Sequence, residues 1–202
     1  SISSLYALCR QVDDIADENI SNTASFRQLS NVIRNVRSKN IEDACVEKLT
    51  SISPTVDPDI FIHLLLGVRS DTQTVKIADE NELLKYCYRV AGTVGLMMCN
   101  VLRVEDPRAL NHAIDLGIAM QLTNIARDVI DDANMGRRYL PGTWIENCKC
   151  EEILIPSNQQ VIIIKKAVKR LLTLAEEYYE SGFNGLPFLS LRVRFVVLIA
   201  GR

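Results

Sequence analysis

Apolar residues recur through most of the chain at three- and four-residue intervals, the repeat that lines one face of an α-helix. Leu5, Leu8, Val12, Ile15 and Ala16 open the pattern. No run of strictly alternating apolar and polar residues and no hairpin dipeptide interrupts it, so the chain reads as all-α. The periodicity predicts helices over 3–18, 25–37, 41–51, 58–69, 80–101, 106–132 and 158–181. Ser53-Pro54 and Asp57-Pro58 mark a break, and Pro58 and Pro107 stand where a first helical turn tolerates proline. Asp79-Glu80-Asn81-Glu82 is a capping-type start, residues 136–141 read as a loop, and Gly182, Gly185 and Pro187 end the last helix.

With 202 residues, 48% of them apolar, the chain can bury one sizeable core, and a single domain spanning 1–202 is expected. The net charge of −2, with both signs scattered, gives no basic arm for nucleic acid. Six cysteines lie mostly within helical patterns and read as reduced thiols of a cytoplasmic protein. Cys148-Lys149-Cys150 lacks the spacer and second ligand pair of a zinc site. No apolar stretch approaches the ~20 residues that cross a bilayer, so a soluble or peripheral protein is expected. The chain starts in mid-helix at Ile2-Ser3-Ser4-Leu5-Tyr6 and stops after the apolar run 195–200, as if truncated at both ends.

The chemistry concentrates in two acidic stripes. Tyr6, Arg10, Asp13 and Asp17 are spaced by four, three and four residues, which puts them along one side of a helix, with Asp14 beside them. Arg10 and Asp14 also have the spacing of an ordinary helical ion pair. Gln121, Asn124, Asp128 and Asp132 form a second stripe in a helix otherwise suited to burial. Buried carboxylates need a compensating cation. Two Asp-x-x-x-Asp pairs on facing helices offer oxygen ligands suited to Mg²⁺, which prefers a few carboxylates completed by water and phosphate oxygens. A di-iron bundle would need a Glu-x-x-His pair; neither His63 nor His112 belongs to one, and both read as structural or surface residues.

The segment Leu5-Tyr6-Ala7-Leu8-Cys9-Arg10-Gln11-Val12-Asp13-Asp14-Ile15-Ala16-Asp17-Glu18 resembles the first aspartate-rich signature of the phytoene and squalene synthase family. Residues 119–132, followed by Gly136-Arg137-Arg138-Tyr139-Leu140-Pro141, resemble the second, and residues 86–95 a third block. The resemblance runs from Ser3 to about Leu189, and family members extend further at both ends. It implies a single-domain helical bundle of the class I isoprenoid synthase type with a central cavity. It implies Mg²⁺, with Mn²⁺ as an alternative, held by Asp13, Asp17, Asp128 and Asp132 with Asn124 assisting. Arg10 and Tyr6 would contact a diphosphate, Gln121 and Tyr86 would lie by the reacting prenyl heads, and Val90, Ala91 and Gly95 would line the hydrocarbon tunnel. Arg137, Arg138 and Tyr139 would sit on a loop that closes over the diphosphates, where guanidinium groups suit phosphate oxygens. Arg69 and Asp71 fall in a region of acidic character in the family.

The implied reaction is head-to-head condensation of two isoprenyl diphosphates through a cyclopropyl intermediate. Metal and arginine neutralise the leaving diphosphate, and apolar walls keep water from the cation. Phytoene and dehydrosqualene synthases then lose a proton, whereas squalene synthases use NADPH. The compact spacing and the Tyr139-Leu140-Pro141 ending resemble the carotenoid branch. The acidic motif alone would also suit a head-to-tail prenyltransferase or terpene cyclase, and a non-catalytic helical scaffold of the same fold is the reading from another class. Lipid-chain substrates suggest peripheral membrane contact.

Overall fold

Side-chain caps start the helices where the pattern places them. Asp57 accepts the Asp59 N–H at 2.9 Å with Pro58 in the first turn, Asp79 accepts the Glu82 N–H at 2.9 Å, and Ser157 and Gln160 form a reciprocal capping box. The structure is a computed structural model that describes residues 1–17, 22–40, 42–52, 57–104, 106–191 and 193–194, with Asp17 described by its backbone alone. Its helices are α1 (Ile2–Asp17), α2 (Asn22–Ser38), α3 (Ala44–Ile52), α4 (Pro58–Asp71), α5 (Glu80–Cys87), α6 (Thr93–Leu102), α7 (Arg108–Arg127), α8 (Val129–Asn134), α9 (Cys150–Leu154) and α10 (Asn158–Phe183). The expected helix ends at Glu18 and Ile41, the Ser53-Pro54 break and the run 195–200 lie outside the described residues.

Two apolar clusters hold the bundle together. Leu5, Leu8 and Val12 of α1 pack with Leu29, Phe61, Leu65 and Met97. Leu83 and Cys87 of α5 pack with Leu122, Ile125, Leu140, Ile145 and Leu171. Burying side chains of this size stabilises by ~1.5–3 kcal/mol each before chain entropy is counted. The six thiols are all free.

The expected helices 80–101 and 106–132 are both interrupted. Residues Tyr88–Gly92 form one π-helical turn between α5 and α6. The turn lies against α7, where a side chain on Gly117 would collide with the Ala91 carbonyl, so the two backbones meet at a distance only glycine allows. Wide turns of this kind often mark functional sites. At Asp128 the backbone relaxes to φ −101°, ψ 14° and separates α7 from α8. The hydrogen bonds from Asp128 N–H to the Asn124 carbonyl (2.9 Å) and from Asp132 N–H to the Asp128 carbonyl (2.8 Å) carry the four-residue register across the break.

Helical periodicity also missed a short extended pairing. Arg138 N–H bonds the Val75 carbonyl at 3.0 Å and Ile77 N–H bonds the Arg138 carbonyl at 3.1 Å, a single parallel bridge. Gly136, at φ +73°, supplies the left-handed turn that brings the chain back from α8 to this bridge.

Candidate active site

The C-terminal half of α1, the end of α4, the start of the 80–102 helix, α7–α8 and the loop at 136–139 enclose a polar cavity of about 230 Å³. Arg10, Asp13, Asp71, Tyr86, Gln121, Asn124, Asp128, Asp132, Arg137 and Tyr139 all line it. The two acidic stripes thus meet across one space, although they lie more than a hundred residues apart in sequence.

The carboxylates in this chamber sit in unequal surroundings. Asp128, in the helix break, is held below the usual range by a hydrogen-bonded ion pair with Arg127 at 2.6 Å. Asp132 is pushed up to about 6, first by burial and then by the charge of Asp128, with Arg137 opposing and Asp131 adding to the shift. Asp71 is likewise pushed up to about 6 by burial, against hydrogen bonds from Tyr139 (2.8 Å) and Tyr86 (3.0 Å). Arg10 pairs with Asp14 at 3.0 Å on the exposed side of α1.

Beside the chamber lies an apolar cavity of about 410 Å³. Val90, Ala91, Val94, Gly95, Met98 and Leu102 line it from the π-turn and α6, and Ala109, Ala113, Leu116, Gly117 and Met120 from α7. Gln121 and Asn124 line both cavities and form their junction. His112 also borders this tunnel, stacked on Phe188 at 6.0 Å between ring centres.

The structure therefore gathers Arg10, Asp13, Tyr86, Gln121, Asn124, Asp128, Asp132, Arg137 and Tyr139 around the chamber, and Val90, Ala91 and Gly95 in the tunnel. The Asp17 side chain lies outside the described residues. Two expectations need correction. Tyr6 is 70% exposed and does not reach the chamber wall. Arg138 is buried in the body of the protein instead of covering the chamber. Side chains alternate along an extended segment, so the bridge that directs Arg137 and Tyr139 inward turns Arg138 the other way. Arg69, a weaker candidate, stacks over Phe26 and bonds Ser30, tying α4 to α2. Asp71, the other weak candidate, stands in the chamber. The tunnel residues Val94, Met98 and Leu102 were missed, though their four-residue spacing from Val90 was a usable signal.

Hard oxygen donors crowded by like charge suit a divalent cation of the Mg²⁺ type. Among the described residues, no group of three or more His, Cys, Asp or Glu side chains is gathered closely enough to hold an ion unaided. Such a site fits an ion whose shell is completed by water and phosphate.

An all-helical bundle with an acidic mouth over an apolar tunnel is the architecture of helical isoprenoid synthases. A crystal structure of a dehydrosqualene synthase in complex with ligand superposes with a TM-score of 0.76 at 30% identity, over 97% of this chain and 72% of that one. A squalene synthase structure from Alicyclobacillus acidocaldarius gives a TM-score of 0.80 at 19% identity, over 98% and 76% of the two chains, and shares the fold. The squalene/phytoene synthase family profile matches residues 1–202. The 15-cis-phytoene synthases of Enterobacter agglomerans and Pantoea ananas are each 33% identical over 99% of this chain, which spans 72% and 69% of their lengths. The chain belongs to the squalene/phytoene synthase family, prenyltransferases that condense two isoprenyl diphosphates head to head. Enzymes of this family generally depend on a divalent metal ion.

Proposed function

We propose that this enzyme makes phytoene or a close carotenoid precursor from two geranylgeranyl diphosphates, with Mg²⁺ between the aspartate pairs. The observation that carries this reading is the junction at Gln121 and Asn124. There a polar chamber able to hold diphosphate opens directly onto an apolar tunnel able to hold its hydrocarbon. Asp13 and Asp17 on α1, with Asp128, Asp132 and the Asn124 amide opposite, would hold the metal, with Mn²⁺ as a possible substitute. Bound there, the ion would neutralise the leaving diphosphate.

The protein's own residues do the rest. Arg10 can turn from Asp14 to a phosphate at little cost, because an exposed ion pair contributes only about 0–1 kcal/mol. Arg137 closes the opposite wall, where a fixed guanidinium meets phosphate oxygens in a matching plane. Val90, Ala91 and Gly95 keep water from the allylic cation while the second substrate's double bond attacks it. Tyr86 and Gln121 would face the reacting carbons.

The phytoene reading draws on relatives named as phytoene synthases at 33% identity. The dehydrosqualene synthase structure at 30% identity keeps farnesyl diphosphate open as the substrate, and NADPH enters only for a squalene product. Full-length enzyme with Mg²⁺ and either diphosphate, with and without NADPH, should yield phytoene from geranylgeranyl diphosphate and need no NADPH. A product formed only with farnesyl diphosphate or only with NADPH would refute it. We place the chain in one domain in the cytoplasm, touching membranes peripherally to collect lipid-chain substrates; no helix among the described residues is long and apolar enough to cross a bilayer. Liposome flotation should carry part of the protein upward, and its complete absence from the lipid fraction would argue against membrane contact.

A further inference from the structure

Asp71 is the last residue of α4, and its carboxylate reaches into the chamber wall between two tyrosines from different parts of the chain. Tyr86 comes from α5 and donates to Oδ2 at 3.0 Å, while Tyr139 comes from the loop after α8 and donates to Oδ1 at 2.8 Å. The two rings lie 4.8 Å apart at 31°, and both border the chamber. A neutral phenol has one O–H hydrogen to donate. With that hydrogen committed to Asp71, each tyrosine has only oxygen lone pairs left for anything else in the chamber.

We propose that Asp71 is a positioning residue for the condensation, holding the O–H bonds of Tyr86 and Tyr139 on its own carboxylate so that both phenols offer only their oxygen lone pairs to the forming cation. The inference rests on the reading that the chamber is where the diphosphate leaves. Fixed dipoles aimed at developing charge stabilise a transition state without reorganising during the reaction. A phenol free to rotate would instead turn its O–H to the leaving diphosphate and present the wrong end of its dipole to the allylic carbon. The bridge between Arg138 and residues 75–77 serves the same arrangement, because it fixes the extended segment that carries Tyr139.

Asparagine at position 71 tests this directly. It matches aspartate in size but offers one acceptor oxygen and an NH₂ donor, so two phenols compete for one acceptor and one of them must turn round. In the full-length enzyme with Mg²⁺ and geranylgeranyl diphosphate, Asp71→Asn should lower kcat by about thirtyfold and leave KM within about threefold, the pattern of an interaction made in the transition state. Tyr139→Phe should lower kcat by only about threefold. In the double variant the single asparagine oxygen is again free for Tyr86, so kcat should rise above that of Asp71→Asn, to within about threefold of Tyr139→Phe, a coupling that double-mutant analysis detects. A residue that merely supports the wall would give a double variant no better than Asp71→Asn, and that result overturns the proposal, as does a normal kcat in Asp71→Asn. Should Asp71→Asn not fold, Tyr86→Phe takes its place: reduced kcat with wild-type affinity for a thio-diphosphate analogue supports the proposal, and unchanged kcat overturns it. Asp128→Asn run alongside separates the two levels. If it is inactive while Asp71→Asn is normal, only the positioning role fails; if both are fully active, the site reading falls and the proposal with it.

Discussion

The polar chamber and the apolar tunnel share Gln121 and Asn124 but are assembled by different means. The chamber draws one to three residues each from α1, α4, α5, α7, α8 and a loop, and crowds charges that repel one another. The tunnel comes mostly from two stretches, the π-turn with α6 and the face of α7 against it, where glycines let the backbones close together, and Gly182, Gly185, Leu186 and Leu189 complete its wall. The chamber should therefore be sensitive to charge and tolerant in packing, and the tunnel the reverse. Substitutions can be chosen to break either half of that statement.

The largest effect belongs to the aspartate pairs. Asp13→Asn and Asp128→Asn should each lower turnover by about a hundredfold or more, since each 1.4 kcal/mol of lost transition-state stabilisation is about tenfold in rate. The apo thermal midpoint should change little, because Asp128→Asn relieves repulsion of Asp132 but gives up the exposed ion pair with Arg127. Near-normal kcat at saturating Mg²⁺ in a folded variant would remove that aspartate from the site.

Next comes the tunnel. Val94→Phe should reduce kcat/KM for geranylgeranyl diphosphate by about tenfold, within the 10–200-fold range that small changes in an apolar pocket command. It should leave competitive inhibition by inorganic pyrophosphate unchanged. A parallel loss of pyrophosphate affinity would show that the two regions are not separable.

The third contrast lies between adjacent arginines. Arg137→Ala should lower kcat/KM by about tenfold. Arg138→Ala should mainly destabilise, by ~1–3 kcal/mol, through lost packing of a buried side chain. Interchanged phenotypes would mean that the extended bridge is not maintained in solution.

The smallest effect is a pH dependence of stability. The folded-state pKa of Asp132 is raised from 3.8 to about 6, so between these values the folded protein binds more protons than the unfolded chain. Stability from this group is present below about pH 4 and is lost as pH rises through about 6. Asp132→Asn should accordingly raise the apo thermal midpoint by a few degrees at pH 7 and hardly at all at pH 4. An equal shift at both pH values would contradict the burial and crowding assigned to Asp132.

Periodicity located most of the helices, because the core is built on 3.6-residue stripes such as Leu5, Leu8 and Val12. It also placed Asp13 and Asp128 correctly as members of two stripes, because the register survives the relaxed backbone at Asp128. It could not show the π-turn at Tyr88–Gly92, which packs against Gly117 of a helix elsewhere in the chain. Nor could it tell Arg137 from Arg138, since their opposite directions follow from a bridge to residues about sixty positions earlier. Asp71 was hard to read for the same reason. Its partners, Tyr86 and Tyr139, lie 15 and 68 residues away, and no local pattern announces them.

The central claim is that the chamber binds diphosphate through a divalent cation held by the two aspartate pairs. Calorimetric titration of the full-length enzyme with a thio-diphosphate analogue, with Mg²⁺ and again with excess chelator, tests it most directly. The account predicts that affinity falls at least tenfold on chelation, because carboxylates facing an anion repel it until a cation intervenes. An affinity indifferent to the chelator would contradict it.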